Sequence, residues 1–517
     1  MGDIQEIQDR VAQHKLDHAL LFLNYALASS REPSVVGDWT PNSKRAPTVW
    51  PHVVHWIAKQ LLMHASELGR RMMDWTEFQH LSNLVINLDD PITKHPNWKQ
   101  ANPDEFFART LSLQLAGQER NVLQKYGIAI GLFNDVGVVK TPDPFDIKGE
   151  IERELELPID IFMAMGFLTY GLSHAVMSGH RCNGTFKTSD FVSAFEQGLK
   201  FCVPATWGKY LGRVSCSRDE FRQIANKPIY RVKQLDFEPF SFNPLQLRPI
   251  TRVSSDRYIA VDPELIIERT TFGLFYDVFA KHKTTFTERF GFVFEKYVGQ
   301  LLKSVLPDSI LWSAAAWEES QRAEGLKANV GSKMCDWICQ FGDTTIMLEC
   351  KSLRPSLQFS TYSDAASLDD LNERLKKALV QLSGHASDIN QSKWTKHGLL
   401  PSQFIAIIVT YRRFHTANGP FCRERVGKLL KEEGTESIPY IVLSIEELDS
   451  VVWLAEQGES LSKLAKTMAY ESPNAPLKPF HDKLQSRAVS TFVFSKGQKF
   501  LDGLCRMSEI PQRQNGS

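Results

Sequence analysis

The chain has 517 residues, of which 43% are hydrophobic and 23% charged, with 60 Lys and Arg balancing 60 Asp and Glu. This composition is ordinary for a soluble globular protein, and the length exceeds one typical core, so two or three domains are expected. Zero net charge excludes a global attraction to nucleic acid; any such binding needs a local basic groove.

Eight scattered cysteines (182, 202, 216, 335, 339, 350, 422, 505) with no signal-like segment before them read as reduced thiols in a cytoplasmic protein. Residues 1–230 read as mostly helical. Val53, Ile57, Leu61 and Leu62 mark an amphipathic helix after Pro51, followed by Arg70 and Arg71, and Pro103-Asp104-Glu105 opens another through about Lys125. From Ile159 to Met177 the chain is nearly continuously apolar, close to the roughly 20 residues of a membrane span. Asp160, Thr169, Ser173 and His174 interrupt it, so it reads as a buried core helix, with no membrane involved. His52, His55, His64 and His80 lack the neighbouring Cys or Glu of a metal site and read as core or surface histidines. Ser217-Arg218-Asp219-Glu220 opens a short helix. This first region is expected to be a sensor, a scaffold or a partner-binding domain. Residues 231–275 form an aromatic and proline-rich connector around Phe237-Glu238-Pro239-Phe240. It is expected to pack between domains, and Ile250–Val261 to form a hairpin about Ser254-Ser255-Asp256.

The third region, 276–457, opens with a helix over Phe286–Val305, whose core stripe is Phe290, Phe294, Tyr297, Leu301 and Val305. Glu295 lies beside that stripe, with Gly291 and Gly299 four residues to either side. Paired glycines leave room for a close approach to the carboxylate by a backbone, a metal or a phosphate. Next come two β-rich runs joined by Gly342-Asp343, a hairpin signal. A two-residue loop sets Phe341 against Thr344, Ile338 against Met347, and Asp336 against Glu349. Lys351 shares the face of Glu349, while Cys335, Cys339 and Cys350 fall on the other face as small buried hydrophobes. Opposed acids repel, so a shared proton, a cationic side chain or a divalent cation must offset them.

Ser367 and Asp370 read as a capping box for a helix whose buried face carries Leu368, Leu371, Leu375, Leu379 and Leu382. Arg374, Lys377, Gln381 and His385 form a polar stripe on its flank. Phe404–Thr410 is a strand covered on both faces, followed by Tyr411-Arg412-Arg413. A helix with Arg423, Arg425 and Lys428, the strand Tyr440–Ser444 and a helix over Glu446–Glu456 complete the region. Residues 458–517 read as a helical extension with a disordered tail from Gln512.

Asp336, then Glu349-Cys350-Lys351 at the end of an apolar strand, with an acid-bearing helix upstream, resembles the PD-(D/E)XK nuclease superfamily. So does the order helix, hairpin, helix, strand, helix, strand, helix over about 276–457, a third of the chain. Cys335 stands where that motif has its proline, and His385 where a RecB-like subgroup carries Tyr after the glutamine corresponding to Gln381. The resemblance implies an α+β multidomain protein, with a mostly helical N-terminal region followed by a restriction-endonuclease-like α/β core, a central mixed sheet flanked by helices. It implies a metal-dependent endonuclease hydrolysing phosphodiester bonds, with Mg²⁺ or Mn²⁺ held by Asp336, Glu349, Glu295 and the Cys350 carbonyl. Lys351 would position the attacking water, Gln381 would support it, and Arg374, Lys377, Arg412 and Arg413 would meet the substrate backbone. DNA is the preferred nucleic acid and RNA stays open. Restriction or anti-phage defence, a protein trigger or partner at the helical region, and a homodimer belong to the same expectation. The alternative is a non-catalytic nucleic-acid- or protein-binding module that keeps the fold.

Overall fold

A computed structural model describes residues 4–31, 49–88, 121–136, 145–174, 185–230, 241–307, 309–314, 316, 319, 335–355, 365–390, 403–484 and 488–508. The first described helices are α1 (Ile4–Val11), α2 (Leu16–Arg31), α3 (Pro51–His64) and α4 (Trp75–Ile86). They are followed by α5 (Val122–Ala129), which continues as a π-helical turn over Ile130–Asp135, then α6 (Ile147–Leu155) and α7 (Ile159–His174). Strand β1 (Thr185–Lys187) leads into α8 (Thr188–Glu196), α9 (Pro204–Val214), β2 (Ser215–Cys216) and α10 (Arg218–Ala225). The Pro51 helix and the short helix capped by Ser217 and Glu220 form as expected, although Arg70 and Arg71 lie beyond the end of α3. The helix expected from Pro103 falls mostly outside the described residues, as do Phe237–Phe240 and the tail from Gln512.

The expected hairpin forms as β3 (Ile250–Arg252) and β4 (Arg257–Ala260), antiparallel with Arg252 opposite Tyr258. It belongs to a four-stranded mixed sheet in the order β1-β4-β3-β2, so two of its strands come from the region expected to be a separate helical domain. Helices α1–α4 bury Val11, Leu23, Ile57 and Phe78 against Ile259 of β4 and Val261 just after it. Asn24 Nδ2 donates to the Ala260 carbonyl at 2.8 Å, and His55 pairs with buried Asp262 at 2.8 Å. A second apolar core runs without a break from Tyr126 through Phe162, Phe186, Ile250, Phe290 and Leu348 to Phe500. The expected boundary at 230 therefore does not divide the core, because β1 and β2 pair with strands beyond it. No single described helix is long and apolar enough to cross a membrane. One bent pair, α6 with Ile159–Ser173, passes by length and composition, and its Phe162, Met163 and Met165 are buried in that second core.

Past the sheet lie α11 (Glu264–Thr270) and α12 (Leu274–Lys303), the latter broken at Lys283, where φ is 43°. Then follow β5 (Leu311–Ser313), β6 (Trp337–Phe341), β7 (Thr344–Lys351), α13 (Ala365–Asn390), β8 (Gln403–Thr410), α14 (Pro420–Glu432), β9 (Tyr440–Ser444) and α15 (Ile445–Glu456). Helices α16 (Leu461–Lys466), α17 (His481–Leu484) and α18 (Thr491–Ser508) end the described chain. Strands β5 to β9 form a mixed sheet in sequence order, antiparallel from β5 to β7 and parallel from β7 to β9. Gly342, at φ 57°, turns the chain with Asp343, and the register is as read: Phe341 opposite Thr344, Ile338 opposite Met347. On one face α12 packs Phe294, Val298 and Leu301 near Trp337, Leu348 and Ile407. On the other, α13 packs Leu371, Leu375, Leu379 and Leu382 against Ile338, Met347 and Ile408. Helix α13 is described from Ala365 and already contains Ser367.

Candidate active site

Extending the β6–β7 ladder one residue past the Trp337–Leu348 pair brings Asp336 opposite Glu349, as the turn requires. The ladder stops there because the side chain replaces the backbone: Asp336 Oδ2 accepts the Cys350 amide at 2.6 Å. One residue earlier, the Cys335 amide donates to His385 Nδ1 of α13 at 2.9 Å, and Cys335 is buried in the α13 cluster. Strand alternation therefore fails at Cys335, which was expected beside Cys339 on the α12 face. Outside a regular strand, the hydrogen bond to His385 sets its direction.

Glu349 is only 3% exposed. One carboxylate oxygen receives the Lys351 ammonium, and the other accepts from Gln381 Nε2 at 3.1 Å. Gln381 and His385, one turn apart on α13, thus hold the two acid-bearing strands, while Arg374 and Lys377 remain exposed further up the same helix. Glu295 approaches from the α12 side. Trp337 Nε1 donates to the Glu295 carbonyl at 3.2 Å, and a Cβ on Gly299 would stand 1.9 Å from Trp337 Cζ2. The close approach that Gly299 permits is therefore by an indole, not by a metal or phosphate, whereas Gly291 faces open space. His385 was read in the polar stripe of its helix, whereas Trp337 is a positioning residue that spacing alone did not single out. The sequence signal for Trp337 was its place beside Asp336.

Burial, and then the charge of Asp336, push the Glu349 carboxyl up to about 7 against the pull of Lys351. Burial followed by Asp336 raises Glu295 to about 7 as well. Asp336 is itself raised by burial, opposed by the Cys350 amide and by Lys351. These are mutually unfavourable charges held at the carboxyl ends of β7 and β8, the end of a parallel sheet where open α/β folds place ligands. Among the described residues, no group of three or more His, Cys, Asp or Glu side chains is placed to hold a metal ion. What Cys350 visibly supplies is the amide that fixes Asp336. Mg²⁺ is commonly held by one or two carboxylates with water completing its shell, and the adjacent, repelling Asp336 and Glu349 fit that chemistry.

Arg412 and Arg413, expected to meet the substrate backbone, both have carboxylate partners within this chain. Arg412 bridges Glu268 at 2.8 Å and Glu446 at 3.4 Å, lies over the Phe272 ring at 4.3 Å, and shares Glu268 with buried Lys125 at 2.5 Å. Arg413 is paired with Glu447 at 2.5 Å, in the cap of α15. Both guanidinium groups are committed to carboxylates of this chain because β8 delivers them to the helix termini packed around its end. Arg374 is bound to Asp370 at 2.8 Å on the exposed face of α13. Comparisons of the chain with protein-family models, with curated proteins and with solved structures found no match.

Proposed function

We propose that the chain is a metal-dependent phosphodiesterase that cleaves nucleic acid, with DNA as the first substrate to test and RNA as the second. The observation that carries this reading is the buried Glu349, held by Lys351 and Gln381 and set beside a second repelling acid, Asp336. A sheet gains no stability from such a pair, so its presence at a ligand-binding strand end supports a functional use. Asp336, oriented by the Cys350 amide, and Glu349, oriented by Gln381, would hold Mg²⁺ or Mn²⁺. The bound cation would supply neutralisation of charge building on phosphate oxygens. Lys351 lies at the solvent edge of the cluster, with its side chain 32% exposed, and would orient the attacking water. Glu295 adds a third acid beside Asp336, and exposed Arg374 and Lys377 would meet the backbone. A role in restriction or anti-phage defence is part of the proposal by analogy alone.

The competing reading is a binding module that no longer cleaves, and the lack of a three-donor metal group among the described residues favours it. One assay separates the two. Full-length protein is incubated with plasmid DNA and with structured RNA in Mg²⁺, Mn²⁺ or EDTA, beside Asp336→Ala and Lys351→Ala. Cation-dependent cleavage lost in both variants is the expected result. Cleavage surviving in both overturns the site, and binding without cleavage under any cation favours the module.

A further inference from the structure

Every arginine so far described near the strand ends has a carboxylate partner: Arg374 has Asp370, Arg412 has Glu268 and Glu446, and Arg413 has Glu447. Arg354, three residues beyond Lys351, differs. Its guanidinium lies over three rings of α12, 3.8 Å from the Phe279 centroid, 4.5 Å from Phe275 and 5.4 Å from Tyr276. Among the described residues it makes no ion pair. The groups acting on it are Tyr276 and Tyr411 and the like charge of Arg374. Burial and that neighbour pull its proton affinity down. The aromatic platform fixes the plane of the fork and contributes cation–π attraction. It supplies no counter-charge, so among the described residues the half-buried cation has no carboxylate partner. Tyr276 also takes a side-chain hydrogen bond from the guanidinium, and the N–H groups beyond that one suit binding of phosphate oxygens.

The site lies within reach of the acids. Three residues span at most about 10 Å of extended chain, and one nucleic-acid strand advances roughly 3.4 Å per phosphate. A strand with its scissile phosphate at Lys351 would therefore bring another phosphate to Arg354 within about three nucleotides. Arg374 adds positive charge on the same side.

We infer that Arg354, on its platform of Phe275, Tyr276 and Phe279, is a second anion subsite that holds a phosphodiester group flanking the one at Lys351. The inference rests on the phosphodiesterase reading for what the strand is, but not for whether the anion binds. Its test therefore reads binding separately from cleavage. Full-length wild type, Arg354→Met and Arg354→Gln are compared by fluorescence anisotropy with a labelled 12-nucleotide single strand and with the same duplex, across a salt series. Circular dichroism checks the fold. Should the Met variant not fold, the Gln variant decides by the same readout.

The expected result is affinity about tenfold weaker for the variants, the loss of one charged hydrogen-bonding contact. The slope of log affinity against log salt should also be shallower by about 0.7 to 0.9, one phosphate contact fewer. A purely structural role for Arg354 would not change that slope. Unchanged affinity and slope overturn the subsite, even if cleavage by wild type and its loss in Lys351→Ala uphold the enzyme. Absence of any oligonucleotide binding by wild type also overturns it. Arg354-dependent binding with no cleavage under Mg²⁺ or Mn²⁺ upholds the subsite and overturns the hydrolytic reading.

Discussion

Replacing Glu349 with Gln removes a buried charge while keeping the shape and the acceptor for Gln381. Its carboxyl, ordinarily at 4.5, sits at about 7 in the fold. A raised carboxyl means that the native state binds more protons than the unfolded chain between those two values. The linkage relation then requires stability to fall as pH rises from about 4.5 to about 7, and to stay level above. Each unit corresponds to about 1.4 kcal/mol, which sets a ceiling near 3 kcal/mol; because Asp336 shares the effect, about 1–2 kcal/mol is expected from Glu349 alone. In EDTA, Glu349→Gln should match wild type near pH 4.5 and exceed it at pH 8, by about 1–4 °C in thermal midpoint. Lys351, one-third exposed, turns to water when its partner is neutral. The assay is a pair of melting curves at each pH, with Asp336→Asn as a second arm that should show the same sign. A stability difference between Glu349→Gln and wild type that stays constant from pH 4.5 to 8 would refute the claim that burial and Asp336 hold this carboxyl up. So would a difference that shrinks with rising pH.

Gly299→Ala would press a methyl into the Trp337 indole, costing about 1–3 kcal/mol by denaturant unfolding; Trp337→Leu in the same chain should recover part of it. His385→Ala removes the acceptor for the Cys335 amide and should cost about 1–2 kcal/mol. If the phosphodiesterase reading holds, it should also lower kcat more than it raises KM, because Asp336 loses its anchor. Arg412→Ala leaves Glu268 and Glu446 short of a half-buried cation, while Lys125 stays on Glu268, so a loss of about 1–3 kcal/mol is expected. A normally stable Arg412→Ala with raised KM would return Arg412 to the substrate contacts.

The hairpin was legible because its turn, its β-formers and its period of 2 all agree, and agreement across levels fixes register. Glu295 was legible as a third acid, but the reason for Gly299 was not. The indole that needs its space comes from a residue 38 positions further on, and no local pattern reports it. The arginines after β8 were read as open because a basic run next to a strand end looks the same whether solvent or carboxylates lie beyond it. Their partners, Glu268 and Glu446, come from α11 and α15. The strand pairing across residue 230 was not legible for a related reason: two- and three-residue strands such as β2 and β1 carry too few positions to show a period, yet they join the sheet.

Helix α18 lies along α5, where Phe500 stacks on Tyr126 with centroids 5.2 Å apart. Its Phe492 meets Tyr297 at 5.9 Å, two residues beyond Glu295. During synthesis at roughly 5–20 residues per second, the helix bearing Glu295 leaves the ribosome some ten seconds or more before its backing does. Until then, the side of Tyr297 that meets Phe492 is left uncovered. A chain cut short before residue 491 would carry every acid of the site but lack the Phe492 ring that packs behind the helix bearing Glu295.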